Sequence, residues 1–302
     1  MKVYITNSSL IKRKNCFAKF CDLESSKFNN QKFLRRHDRS ALLLFSLLAD
    51  LLSLKKIQFP KSIVLESVNN TFNSTLKYSK DLNKGGYLNA NPIDFVNMSD
   101  NSALGYAAQY FSLSHIVQLV SNDGLEYAFQ LIKHNECKTI VAAGIDEFTY
   151  DEANEGGGAL FLTNHAYLQP NKEIVELIDV DSSANIPIND TKRIFINNFI
   201  EDFFNHNLKS SHLEAIFGGL NLLSDTSRET SKMVRQILMK YTHNLKLTSS
   251  IVGQSKSASL YQSISLLLSS FKNKDLNSTK FYAAFNINLD NTITLVFLKI
   301  GG

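Results

Sequence analysis

The chain carries the same pattern of strands and helices twice, and this repeat restricts its fold more than any other feature. TIVAAGI at residues 139–145 resembles KFYAAFNI at 280–287, and GALFLT at 158–163 resembles TITLVFL at 292–298. In each half, a helix that starts from a short polar turn precedes these strands. Strands that alternate with helices favour buried, largely parallel sheets covered by helices. We therefore predict an α/β domain over residues 1–302 in which duplicated halves, 1–170 and 171–302, form an α/β/α/β/α stack.

The order of apolar and polar stretches predicts individual elements. A helix capped by Asp38 or Ser40 is expected to run to about Leu54, with apolar residues on nearly every face. Residues 61–101 are rich in Asn, Ser and Lys, which predicts loops around one short strand at Ser62–Glu66. Helices are predicted at 103–111, 125–133, 226–241 and 258–271, and strands at 1–6, 115–120, 139–145, 157–163, 213–217, 247–252, 281–285 and 292–299.

Composition excludes several classes of protein. With 302 residues, 44% of them hydrophobic and 20% charged, the chain is too long and too apolar to be disordered or a disulfide miniprotein. The net charge of +4 comes mostly from scattered lysines, which argues only weakly for nucleic acid. The first residues lack the pattern of a signal peptide, and Ala41–Leu54 is too short to cross a bilayer. We expect a cytoplasmic protein with no membrane span and no nucleic-acid partner.

Two polar turns precede helices in the two halves, at Ser121 and at Gln254. In open α/β sheets, chemistry gathers where strands end and helices begin, because helix N-termini favour negative charge. The two turns should therefore face one cleft. The three cysteines and seven histidines have no metal-ligand spacing, so neither a metal nor a cofactor is expected there.

An ordered set of segments resembles the β-ketoacyl synthases of the thiolase superfamily. The set covers most of the chain, with fewer residues than the family between Thr163 and Asp225. Its members are FLRRHDRSALLLFSLLADLL, NPIDFVNMSDNSALGYAAQYFSL, VQLVSNDGLEYAFQLI, TIVAAGIDE, EGGGALFLT and SSIVGQSKSASLYQSISLLL, followed by the last two strands.

This resemblance implies that the catalytic side chains are replaced. The family's nucleophilic cysteine aligns with Ser121, its two histidines with Ile216 or Phe217 and with Gln254, and its lysine with Ser249. The glycine-rich turn near the C-terminus is also altered, because Asn286, Asn288 and Leu289 stand where the family has glycines. Joint loss of these groups leaves no plausible condensation chemistry.

Degenerate ketosynthases of this kind resemble the chain-length factors of type II polyketide systems, and the short factors of aryl polyene clusters most of all. The resemblance implies a heterodimer with a catalytic ketosynthase, which would hold an acyl chain delivered by an acyl carrier protein. In the superfamily, the strand before the nucleophile pairs across the dimer axis. We therefore expect Ile116, Val117, Leu119 and Val120 at or near the partner interface.

Other interpretations remain open. Ser121 could be the nucleophile of an acyltransferase or esterase, although VSNDG is not the G-x-S-x-G motif, or it could simply cap a helix. The chain could also be a homodimeric acyl-binding protein. The strand before Ser121 could instead lie wholly inside its own sheet. Gly156–Gly158 could cradle a phosphate, but close packing of the sheet explains the three glycines better.

Overall fold

A single mixed sheet of ten strands forms the centre of the described chain. The computed structural model describes residues 1–11, 37–52, 60–67, 71–99, 101–146, 156–164, 174–187, 190–208, 212–219, 225–247, 257–271, 278–287 and 292–301. The strands are β1 (Val3–Ile11), β2 (Ile63–Glu66), β3 (Val117–Val120), β4 (Thr139–Asp146), β5 (Gly156–Thr163), β6 (Val175–Ser182), β7 (Leu213–Gly219), β8 (Leu245–Leu247), β9 (Lys280–Ile287) and β10 (Ile293–Ile300).

Helices lie on both faces of this sheet. They are α1 (Arg39–Leu52), α2 (Phe72–Gly85), α3 (Pro92–Asn97), α4 (Ser102–Phe111), α5 (Gly124–Lys133), α6 (Lys192–Leu208), α7 (Asp225–Leu238) and α8 (Ser259–Ser269), with a 3₁₀ turn at Gly86–Leu88. In the part of the chain that is described, no helix combines the length and the apolar character needed to cross a membrane.

The strand order repeats between the halves. The sheet runs β3-β2-β4-β5-β1-β6-β10-β9-β7-β8, so the first five strands and the last five have the same order counted inward from each edge. The halves meet where β1 pairs with β6 through Val3–Leu177 and Tyr4–Glu176. This order agrees with the two sequence repeats. The boundary at residues 170 and 171 stays a prediction.

The expectation of largely parallel pairing was wrong. Parallel pairs occur only towards the two ends of the sheet, where β2 joins β3 and β4, and β7 joins β8 and β9. The middle strands are antiparallel. Nine residues lie between the end of β4 and the start of β5, and five between β9 and β10, whereas a parallel crossover needs about a dozen residues or more.

Three apolar clusters explain the layers. α1 and α4 cover one face of β1–β5, and α6 and α7 cover one face of β7, β9 and β10. Between the halves lie α5 and α8, whose side chains pack against strands of both halves in the largest cluster. The layers are therefore α/β/α/β/α, as the repeat predicts.

Most of the predicted elements are present, and the differences have local reasons. Asp38 caps α1, since the Ala41 N–H donates to its Oδ1 at 2.9 Å. Residues 61–101 are not only loops: α2 and α3 form there, although α2 is polar and carries few apolar residues. β6 and α6 were not predicted either. In α6, apolar residues also lie on the outer face, where Ile194 is exposed, and this obscures the helical pattern. Of the strand predicted at 247–252, residues 248–252 lie outside the described chain.

Candidate functional site

Strand ends and helix starts meet in the middle layer. Glu66 ends β2, Asp146 ends β4 and Gly219 ends β7, and all three lie against the first turns of α5 or α8. This is the edge of the sheet at which the sequence predicts a site. Its chemistry depends on which side chains face the two helix N-termini.

Ser121 lies on the turn between β3 and α5, where the nucleophile of the resembled family would stand. It is exposed, and its hydroxyl donates to Asn122 Oδ1 at 3.2 Å. In the described part of the chain, no histidine or carboxylate contacts it. The expected helix-cap role was wrong, because the capping position is Asp123, whose φ of 57° is left-handed.

Glu66 accepts hydrogen bonds at the start of α5. Its Oε2 receives the Gly124 N–H at 3.0 Å and the Tyr261 hydroxyl at 3.1 Å. Burial raises the pKa of Glu66 from its ordinary 4.5 to about 8, although both hydrogen bonds oppose that shift. The Glu66 carboxyl group therefore occupies a backbone donor at the N-terminus of α5.

Tyr261 reaches Glu66 across a row of three residues that are paired in register. Gly158 on β5 pairs with Gly144 on β4, which pairs with Glu66 on β2. A Cβ atom on Gly144 would lie 2.6 Å from the Tyr261 ring, and one on Gly158 would lie 2.8 Å from Tyr261 Cβ. Gly144 and Gly158, which we call the glycine row, thus let α8 of the second half lie directly on the sheet of the first half. The three glycines at 156–158 serve close packing, as the sequence favours.

Asp146 does for α8 what Glu66 does for α5. Its Oδ1 accepts the Ser257 N–H at 3.0 Å and its Oδ2 accepts the Ala258 N–H at 2.8 Å. The side chain is buried, and both of its oxygens are paired with backbone donors at the positive end of a helix. Both helices of the middle layer therefore start against a carboxyl group of the chain itself.

Further carboxylates surround the start of α5. Burial raises the pKa of Glu126, and Asp181, Asp123 and Asp179 raise it further. Burial also raises the pKa of Asp181, with a contribution from Asp179. Such a setting opposes the negative charge that develops on oxygen in acyl transfer. No group of three or more potential metal ligands is found among the described residues.

The β7 positions point to opposite sides of the sheet. Ile216 packs with α6 and α7 in the outer layer, whereas Phe217 packs in the middle layer with α5 and α8. Phe217 also lies under the Lys246 ammonium, 5.2 Å from the ring centroid. Of the two residues that match the first histidine, Phe217 is the one on the side of the helix starts.

The remaining matched positions are only partly described. Asn286 is buried at the end of β9, paired in register with Gly219. Ser249, Gln254, Asn288 and Leu289 lie outside the described residues. The prediction that the turns at Ser121 and Gln254 face one cleft therefore stays a prediction, although α8, which follows the second turn, does contact Glu66 at the start of α5.

Among the described residues, β3 lies at the edge of the ten-stranded sheet and pairs only with β2. The alternative that this strand lies wholly inside its own sheet was wrong. Val117 is 37% exposed. Ile116 and Val120 are half-buried against the middle-layer cluster, and Leu119 against the cluster of α1 and α4. Their role at a partner interface stays a prediction.

Sequence reasoning missed Glu66, Asp146 and Tyr261 as parts of this site. A signal for the two acids was present, since each ends an apolar strand, as in IVLE and TIVAAGID. No comparable signal marks Tyr261. Its role depends on the glycine row, which forms only when the sheet is assembled.

Solved structures resemble this arrangement over the whole chain. The ishigamide ketosynthase/chain length factor has a TM-score of 0.75 at 12% identity, covering 100% of both chains. AntDE:AntF, a type II PKS acyl-carrier protein in complex with its ketosynthase bound to the hexaketide, gives a TM-score of 0.73 at 13% identity over 98% of both chains. The ketosynthase from module 1 of the bacillaene synthase from Bacillus amyloliquefaciens FZB42 gives 0.70 at 11% identity, covering 99% of this chain and 75% of that one.

Sequence comparisons add nothing to this similarity, since no protein-family model and none of the curated proteins compared matches the chain. At 11–13% identity, the structural likeness establishes the fold and not the activity. The chain has the thiolase-like fold of the ketosynthases.

Proposed function

We propose that the chain is a non-catalytic, ketosynthase-like chain-length factor. In this role it forms a heterodimer with a catalytic ketosynthase and shapes the pocket in which an acyl or polyketide chain grows. The proposal rests on the side chains that lie at the N-termini of α5 and α8. Ser121, which matches the nucleophile position, has no base as a hydrogen-bond partner among the described residues, and the carboxyl groups of Glu66 and Asp146 occupy backbone donors at α5 and α8.

The electrostatics of the site support the loss of condensing activity. A condensing centre needs donors directed at an oxyanion and a nucleophile activated by positive potential. Here the donors at Gly124, Ser257 and Ala258 already have acceptors, and Glu126 and Asp181 add acidic groups nearby. The fold can remain useful after such a loss because it still offers a surface to a partner.

The partner and substrate class rest on resemblance. One similar solved structure is described as a ketosynthase/chain length factor, and another as a carrier protein with its ketosynthase. We extend both roles to this chain: the partner would be a catalytic ketosynthase, and the carrier protein would reach the complex through it. Assignment to the aryl polyene systems and a cytoplasmic location belong to the same proposal.

Charge on the β3 edge is expected to prevent the heterodimer. Val117→Asp should reduce the amount of ketosynthase that copurifies from co-expression with its operon neighbours by at least tenfold, because a charged residue on an edge strand blocks pairing. Native mass spectrometry of the purified assembly measures this. Ile194→Asp is the control, since Ile194 is 63% exposed on α6 in the outer layer of the second half. An unchanged heterodimer in Val117→Asp would contradict the pairing, and identical subunits would favour the acyl-binding homodimer.

Removing the Ser121 hydroxyl is expected to change no activity. The isolated chain and its Ser121→Ala variant should hydrolyse an activated ester at the same background rate, because the hydroxyl bonds only to the Asn122 amide among the described residues. Initial rates with p-nitrophenyl acetate provide the measurement. A rate that falls tenfold or more in Ser121→Ala would favour the acyltransferase or esterase alternative.

A further inference from the structure

An exposed apolar surface lies away from the site just described. This tip surface consists of five exposed apolar residues of the 3₁₀ turn and α3: Tyr87, Leu88, Ile93, Phe95 and Val96. Leu88 is 98% exposed, Tyr87 83% and Phe95 60%. Large apolar side chains that cluster in this way mark interaction sites more often than chance exposure does.

The tip surface is held in place by ordered contacts. The Lys77 ammonium pairs with Asp94 Oδ2 at 2.8 Å and so joins α2 to α3. The Tyr78 and Phe95 rings lie 5.6 Å apart, and Asn91 caps α3 by accepting the Ile93 N–H at 3.0 Å. The tip surface is therefore part of an ordered segment whose apolar side chains face outward and whose polar side chains face inward.

α4 connects the tip surface to the β3 edge. It packs against α3, where the Tyr106 hydroxyl donates to Asn97 Oδ1 at 3.2 Å, and it also packs against β3. Gly105 on α4 is exposed, and a Cβ atom there would meet nothing within 4 Å. Tyr110, further along the same helix, is 42% exposed. α4 thus joins the tip surface to the edge strand.

The β3 edge alone is too small for a stable complex. β3 has 4 residues, whereas a standard interface takes about 20–30 residues from each side. α4 packs against both β3 and α3, so its exposed face and the tip surface could extend the interface beyond the edge strand. Lys80 and Lys84 are exposed on α2, the helix that the ion pair between Lys77 and Asp94 joins to α3.

We infer that the tip surface and the exposed face of α4 form the second part of the interface with the partner ketosynthase, against an apolar surface of that partner with acidic residues at its margin. This inference rests on the proposed function, since it takes the occupant to be the same ketosynthase that pairs with β3. The tip surface would then anchor the complex by apolar burial, while β3 fixes its register.

Three surface variants test the inference in the co-expressed complex. Leu88→Asp, Phe95→Asp and Gly105→Arg change exposed positions, so the chain should keep its circular dichroism spectrum and should not melt at a lower temperature. Each should lower the heterodimer fraction in native mass spectrometry at least tenfold. Met239→Asp, which alters a 44% exposed residue just after α7, is the matched control and should leave the fraction unchanged.

The outcomes separate this inference from the proposed function. If all three variants still form the heterodimer but Val117→Asp does not, the tip surface is not part of the interface, and the proposed function still stands. A wild-type chain that forms no complex with the ketosynthase would overturn both. Binding to phosphatidylglycerol vesicles that is lost in Leu88→Asp, with the heterodimer intact, would assign the tip surface to a membrane and also overturn the inference.

Discussion

Replacing Glu66 with glutamine is expected to stabilise the fold by about 3 kcal/mol more at pH 8 than at pH 5. The reason is the pKa of the buried Glu66 carboxyl group, which burial raises from 4.5 to about 8. Glutamine has nearly the same shape and can still accept the Gly124 N–H and the Tyr261 hydroxyl. It carries no charge at any pH, so the cost of burying an ionised carboxylate disappears.

The sign of the pH dependence follows from proton counting. Between about pH 4.5 and 8, Glu66 holds its proton in the folded chain and releases it in the unfolded chain. The native state then binds more protons, so this group lowers the free energy of unfolding as pH rises through that window. Above about pH 8 both states are ionised, and the loss is complete. The Glu66→Gln variant should lack this component.

Urea unfolding of both proteins at pH 5 and pH 8, followed by circular dichroism, measures the difference. Using the difference between variant and wild type at each pH cancels the titration of the other groups. Glu66→Leu is the control for hydrogen bonding, because it removes the charge but leaves the Gly124 and Tyr261 donors without their acceptor. It should be less stable than Glu66→Gln at both pH values. An equal effect of Glu66→Gln at pH 5 and pH 8 would contradict the buried, neutral carboxyl group.

The same buried acid shows how far the sequence could predict this site. The apolar strands and the turn before α5 could be read from local patterns, because periodicity and turn residues act over a few positions. The hydrogen bond between Glu66 and Tyr261 joins residues 195 positions apart. It depends on the glycine row and on the contact between the halves, neither of which leaves a local pattern. The resemblance supplied the position of Ser121 but could not show which acceptors occupy the helix starts.

Two of the helices that were not predicted, α2 and α6, have unusual distributions of apolar residues. α2 is polar along most of its length and carries few apolar residues, whereas α6 carries apolar residues around its circumference and so shows no clear amphipathic pattern. α2 depends on tertiary contacts such as the ion pair between Lys77 and Asp94. Local sequence could therefore predict the inner layers of this fold better than its periphery.

Gly158→Ala is expected to destabilise the protein by about 1–3 kcal/mol, because the added methyl group would displace a helix backbone. A Cβ atom at this position would lie 2.8 Å from Tyr261 Cβ and 2.9 Å from the backbone nitrogen of Gln262. These atoms belong to α8, which the Asp146 cap and the Tyr261 hydrogen bond hold in place. Relief of the clash would need a shift of the helix and would strain both contacts.

Two other glycines provide matched controls for this clash. Gly157 lies beside Gly158 on the opposite face of β5, where a Cβ atom would meet Leu47 Cδ1 at 2.7 Å, the end of a flexible side chain. Gly157→Ala should therefore cost less than Gly158→Ala. Gly105→Ala should stabilise the chain by about 0.5–1 kcal/mol, since the glycine lies in the interior of α4, on its exposed face, with open space around it. Urea unfolding ranks the three variants. A Gly158→Ala protein as stable as Gly157→Ala would show that the helix yields easily, and that close contact between the halves does not depend on the glycine row.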